Sequence, residues 1–254
     1  MRKDCPMKLT SKSILALILA LGPAFIFSAY SSHAETVRKP VRAGSFYPSV
    51  PAELRALITQ LTIKARNTRL QPHRNNHLRA IVLPHAGYIY SGFTAAHASR
   101  VLHPGQFTQV ILLGPDHYIG FSNGAICDAT AYETPLGRIK LHENTAKLRR
   151  QPELFQTLPI HLDKEHSLEV VLPFLQTYLG KFQMVPIIVG RTDIRSFSNA
   201  LDGILDNDTL MVVSSDLSHF LSHAEAVIRD RETINAIMEM NPDKLVKTDN
   251  RACG

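Results

Sequence analysis

With 254 residues and 44 % apolar content, the chain is long enough for one large domain with a sizeable core. Its net charge of +6 overstates its basicity, because the first 34 residues hold four Lys/Arg against one acid and leave +3 for the rest. The remainder has no Lys/Arg block that could track phosphates, which argues against a nucleic-acid partner, and the lack of any Cys-x-x-Cys removes zinc ribbons and thioredoxin-like sites.

The chain opens with a basic stretch (Arg2, Lys3, Lys8, Lys12) and an apolar run from Ile14 to Ala29, broken by Gly22, Pro23 and Ser28. Ser32-His33-Ala34 then sets small residues at the two positions a signal peptidase reads. A run of about 16 residues is short for a membrane span, which needs roughly 20. Residues 1–34 are therefore predicted to be a signal peptide, and residues 35–254 an exported single domain, periplasmic or extracellular. Membrane contact would come only through an uncleaved signal segment. Cys127 and Cys253 remain after cleavage; an oxidising compartment permits them to pair, but their spacing in sequence does not fix their distance.

Beyond residue 34, short β-branched runs alternate with helical patterns. Pro51 opens a helix with Leu54, Leu57, Ile58 and Leu61 at helical spacing, and 67–76 is a polar surface loop. Ala80–Leu83 reads as a buried strand, Phe93–Leu102 as a helix and Gln109–Leu113 as a second strand. Met184–Val189 is another, with Pro186 pointing to an edge position or an irregularity. Ile194, Phe197, Leu201 and Ile204 form the apolar face of a helix, Leu210–Val213 a strand, and Val227, Ile234, Ile237 and Met238 mark a helix of about four turns. Continuously apolar strands predict an α/β fold whose central, mostly parallel or mixed sheet has helices on both faces.

Three of these strands end in turns carrying a histidine: His85, His117 and His219. Sites in open α/β sheets form beyond the carboxyl ends of the strands, where side chains from separate strands converge. Taken singly, each histidine reads rather as a turn cap, a bond to a backbone carbonyl or a solvent-facing residue. Together, with Asp116 and Asp216 nearby, they predict one shared transition-metal site. His166 and Glu169 lie three apart and share one face if the segment is helical, either behind the ligands or on a substrate, or else as a surface pair. Gly120-Phe121-Ser122-Asn123-Gly124 matches a nucleophile-elbow pattern, but no strand delivers Ser122 and extended residues follow it, so a serine nucleophile is not expected. His97, His103, His142, His161 and His223 read as surface histidines.

Several stretches, in order, resemble the Memo family, also met as protein B of the AmmeMemoRadiSam system. They are Arg42-Ala43-Gly44-Ser45-Phe46-Tyr47, Pro84-His85-Ala86-Gly87-Tyr88, Gly114-Pro115-Asp116-His117, Glu133-Thr134-Pro135-Leu136-Gly137, Glu165-His166-Ser167-Leu168-Glu169, Ser214-Ser215-Asp216-Leu217-Ser218-His219 and Ala252-Cys253-Gly254. The resemblance spans residues 41–254 and implies the fold of class III extradiol dioxygenases. It further implies His85, His117 and Cys253 as metal ligands, and His219 with Asp216 as the acid/base pair. A thiolate in place of the dioxygenase carboxylate favours copper beside iron(II), with zinc a further option. Two departures stand out: the chain stops just after Cys253, where the family continues, which reads as C-terminal truncation; and an export signal separates it from a cytosolic radical-SAM partner.

Two functions follow as expectations. One is a metal-dependent, dioxygenase-like oxidoreductase acting on a small molecule. The other is a non-catalytic protein that keeps the cleft for a small ligand, a peptide or a metal ion.

Overall fold

The computed structural model describes residues 35–69, 77–246, 252 and 253. The signal segment read at 1–34 and most of the loop at 67–76 lie outside the described residues. In chain order the elements are β1 (Val37–Arg38), α1 (Pro51–Arg66), β2 (Ala80–Leu83), α2 (Tyr88–Ala96), β3 (Gln109–Pro115), β4 (Gly124–Cys127), β5 (Ala131–Thr134) and β6 (Gly137–Lys140). They continue with α3 (Asn144–Arg149), β7 (Phe155–Leu158), α4 (Ser167–Leu179), β8 (Gln183–Val189), α5 (Ile194–Asp202), β9 (Thr209–Ser214), α6 (His223–Met238) and α7 (Pro242–Val246).

Six strands form the main sheet in the order β2-β9-β3-β8-β4-β7. All neighbours are parallel except β4 and β8, so the sheet is mixed, as the continuous apolar runs implied. Successive side chains of a strand point to opposite faces, and both faces here are covered. Along β3, Val110 and Leu112 join a buried cluster with Leu168, Val171 and Leu175 of α4 and with Leu54 and Ile58 of α1. Ile111, between them, packs instead with Phe197 and Leu201 of α5 and Leu148 of α3. On β8, Met184 and Ile188 go to the first cluster and Val185 and Ile187 to the second. A small second sheet, β1-β5-β6, was not anticipated; two of its strands form the hairpin around Pro135-Leu136. Among the described residues, no helix is long and apolar enough to cross a membrane.

Two local readings need correction and two are sharpened. β2 is an edge strand with Ala80 and Val82 exposed, not a buried one. β8, with Pro186, lies inside the sheet, so the irregularity is the right reading: pairing with β4 is confined to Ile188 and Val189. α2 begins at Tyr88 and tightens into a 3-10 turn at His97–Arg100, ahead of the helix expected at 93–102. α6 spans the expected four turns, yet Val227, Ile234, Ile237 and Met238 are exposed, and the buried residues are Thr233 and Ala236.

Buried charge ties the N-terminal segment to α4. Arg38 pairs with Asp163 at 3.4 Å and with Glu169, and donates to the Glu165 carbonyl. Glu169 also accepts from the Val41 and Arg42 amides at 2.8 Å each and from the Tyr47 hydroxyl at 2.6 Å. The Tyr132 hydroxyl donates to Asp163 at 3.0 Å. Glu169 is fully buried, so it forms no surface pair with His166. Its oxygens are spent on holding the first described residues in place rather than on a ligand.

At this same start of α4, Gly114 allows close approach to β3. A Cβ there would stand 2.5 Å from Ser167 Oγ and 2.9 Å from Leu168 Cδ2. The missing side chain seats the start of α4 directly against the end of β3, beside the histidines.

Candidate metal centre

β2, β9 and β3 are adjacent and parallel, so their carboxyl ends deliver His85, the Asp216–His219 turn and His117 to one edge of the sheet. Asp216 staples two of these ends together: its Oδ1 accepts from the amides of His85 at 2.8 Å and Ala86 at 3.2 Å. The rings of His85 and His117 lie 5.3 Å apart. The third imidazole in the cluster is His166, at the start of α4, stacked 4.5 Å from His117 and 5.7 Å from His85. His219 occupies the rim instead, its Nε2 3.8 Å from Asp216 Oδ2 and 3.9 Å from Cys253 Sγ.

Two trios have donor atoms mutually within 4.8 Å: His85, His117 and His166; and His85, Asp216 and Cys253. Cys253 is held by its backbone, the amide donating to the Asp216 carbonyl at 3.1 Å and its carbonyl accepting from Ser215 Oγ at 3.2 Å. Cys127 lies buried in β4, and both cysteines are free thiols, so the pairing left open by the sequence does not form.

The hydrogen bonds fix which nitrogen His85 and His117 each present to the centre of the cluster. Ser214 Oγ donates its only proton to the Ser167 carbonyl at 2.5 Å, so it accepts from His85 Nδ1 at 2.9 Å. The His85 proton therefore sits on Nδ1, and Nε2 presents a lone pair. That Nε2 is buried and has no hydrogen-bond partner. His117 Nδ1 lies 2.9 Å from Glu165 Oε1 and donates to it, while the His117 amide donates to Glu165 Oε2 at 2.7 Å. This leaves His117 Nε2 for a ligand, with a carboxylate behind the ring as metal-binding histidines commonly have.

Electrostatics follow from this packing. Burial pushes the Glu165 carboxyl up, but donation from His117 and from the Ser167 and His117 amides outweighs it and brings the value down to about 2. The Cys253 thiol and Glu165 raise His117 to about 10. Burial would raise Cys253 too, yet the facing imidazoles of His117 and His85, with the charge of His219, lower it to about 6. His166 is lowered to about 4, chiefly by burial, and stays neutral near pH 7. Without metal, the site thus holds a thiolate–imidazolium pair between about pH 6 and 10. Iodoacetamide should label Cys253 at pH 7, with a rate that falls as pH drops through about 6, and bound metal should protect it. Cys127, pushed up to about 12 by burial, should stay unlabelled. Peptide mapping by mass spectrometry reads both residues.

Asp116 shapes the loop behind His117 and belongs to neither trio. Its oxygens accept from the Tyr118 and Ile119 amides at 3.0 Å each and from the Gly120 amide, and these bonds outweigh burial and lower its pKa. Glu165 and Ser214, which set the two tautomers, were not singled out from the sequence. A carboxylate just ahead of a helix start was the available signal for Glu165; Ser214 had none. Ser122 heads no elbow, since β4 follows it. Of the remaining histidines, His103, His161 and His223 are exposed as expected. His97 and His142 are half-buried and bond to backbone: His97 Nδ1 to the Phe93 carbonyl at 2.9 Å, His142 Nδ1 to the Asn144 amide at 3.2 Å.

The chain matches the family model described as Memo-like protein over residues 38–254. Among similar curated proteins, each named as a MEMO1 family protein, one from Aquifex aeolicus is 35 % identical, covering 82 % of this chain and 77 % of its own. One from Caldivirga maquilingensis is 31 % identical over 81 % and 77 %, and one from Nitrosopumilus maritimus 31 % over 86 % and 83 %. A match of that extent, running through every strand end that builds the site, places the chain in the Memo family.

Proposed function

We propose that the chain binds one transition-metal ion through His85, His117 and Cys253 and acts as a metal-dependent oxidoreductase on a small molecule, with iron(II) or copper as the metal. The observation that carries this reading is His85 Nε2: buried, unpartnered, its tautomer set by Ser214, and close to the Asp216 carboxylate and the Cys253 thiol. An orphaned buried nitrogen costs about 1–3 kcal/mol, a cost that a coordinated ion removes. Two imidazoles and a thiolate form a mixed hard–soft donor set that suits iron, copper or zinc.

A bound ion of this kind supplies Lewis acidity and electron exchange at its open positions. The protein's own groups do the rest. Glu165 and Ser214 hold the two rings in ligating orientation. Asp216 and His219, on the Cys253 side, hold and move a proton at the rim, where His219 is open to solvent. Neutral His166, stacked on His117, closes the inner wall.

The test is metal uptake followed by turnover. Purified protein loaded separately with iron(II), copper and zinc should retain one equivalent, and the redox-active forms should consume dioxygen or reduce a dye with a suitable small molecule. Retention without turnover by any form would make the chain a binding protein; no retention would remove the metal reading. Export stays part of the proposal, on the basic and apolar pattern of residues 1–34.

A further inference from the structure

Beside the candidate metal centre opens a cleft of about 730 Å³, lined by His117 and Cys253 together with Phe121, Ser122 and Arg191, among others. Its charge balance is uneven. The lining carboxylate, Asp116, is engaged by the amides of its own turn. Arg191 is exposed, and among the described residues its guanidinium has no hydrogen bond or ion pair.

The root of Arg191 is nonetheless fixed. Its amide donates to the Phe121 carbonyl at 3.3 Å, its carbonyl accepts from the Asn123 amide at 2.7 Å, and it bridges to Ser122 in parallel register. The preceding Gly190 leaves no room for movement: a Cβ there would lie 2.2 Å from the Phe121 carbonyl oxygen. A planar cation with five donors thus stands on a locked backbone, in the same cleft as the candidate metal ligands.

We infer that this cleft takes a small molecule bearing a carboxylate, with the carboxylate paired to Arg191 and the opposite end directed at the metal centre. Guanidinium and carboxylate match as a two-bond fork, and the single charge of a carboxylate is balanced by the one arginine among the cleft's lining residues. The metal-directed end rests on the function proposed above; the Arg191 end does not.

Two arms of one experiment keep those dependencies apart. In the first, zinc-loaded protein is titrated calorimetrically with acetohydroxamate and with dicarboxylic monohydroxamates of two to four spacer carbons. At least one carboxylate-tailed probe should bind about tenfold more tightly than acetohydroxamate, the size of one charge-assisted contact. In R191Q that advantage should vanish, with zinc content and acetohydroxamate affinity unchanged. Equal binding of all probes to the parent chain, or an advantage that survives in R191Q, overturns the inference. In the second arm, metal-free protein is titrated with benzoate and followed by NMR. Saturable shifts at the Phe121–Asn123 and Arg191 amides that are lost in R191Q are expected even if no metal is ever retained. Absent or unchanged binding there overturns the anion subsite independently of the metal reading.

Discussion

Arg38→Met is expected to lower the unfolding free energy by about 3–5 kcal/mol, the range for removing one partner of a buried ion pair. Arg38 is 2 % exposed, and the carboxylates it faces, Asp163 and Glu169, are 1 % and 0 % exposed. Methionine fills much of the same volume but leaves two buried carboxylates to share the remaining donors. Burial works against the Arg38 charge, and the attraction of Asp163 and Glu169 overcomes it. The loss should appear as a lower urea midpoint with an unchanged slope. Because Arg38 also holds the Glu165 carbonyl, metal affinity should fall alongside stability. The double variant Arg38→Met, Glu169→Gln should recover part of the stability by removing one stranded charge. An Arg38→Met midpoint within error of the parent would show that the N-terminal segment does not brace α4.

The second large effect concerns the proposed ligands themselves. His85→Ala with His117→Ala should abolish retention of a stoichiometric ion after gel filtration. Removing only the groups behind the ligands, by Glu165→Gln or Ser214→Ala, should weaken affinity by the roughly 10–100-fold typical of such partners. The gradation matters because it separates a built site from adventitious binding by surface histidines, which would ignore Ser214. His103→Ala, at an exposed position, should change nothing. Metal analysis of the set decides, and an unchanged ion content in the double variant would end the metal proposal.

How much of this was legible in the sequence depended on the range of the interaction. The strand-end positions of His85, His117 and His219 could be read because each follows a short apolar run, and parallel order in an α/β sheet puts such ends on one edge. The tautomer-setting partners could not. Glu165 is 48 residues from His117, and Ser214 is 129 from His85, so neither pair leaves a periodic trace. The same holds for Arg38 and Glu169, 131 residues apart. The sequence leaves Glu169 open between a place behind the ligands, one on a substrate and a surface pair with His166, because nothing local signals that a buried arginine waits for it. His166 stays open between the same alternatives for a related reason: its place inside the histidine cluster comes from the bare backbone at Gly114, which lets the start of α4 close on β3. The edge position of β2 and the exposed apolar face of α6 were missed because periodicity reports amphipathicity, not what an element packs against.

The most direct measurement is X-ray absorption of the zinc-loaded chain, zinc serving as a redox-silent reporter of the ligand set. A sulfur shell at about 2.3 Å with imidazole nitrogens at about 2.0–2.1 Å is expected. The sulfur shell should disappear in Cys253→Ser, and the imidazole contribution should shrink in His85→Ala. A spectrum with no sulfur, unaltered by either substitution, would mean that the ion sits elsewhere.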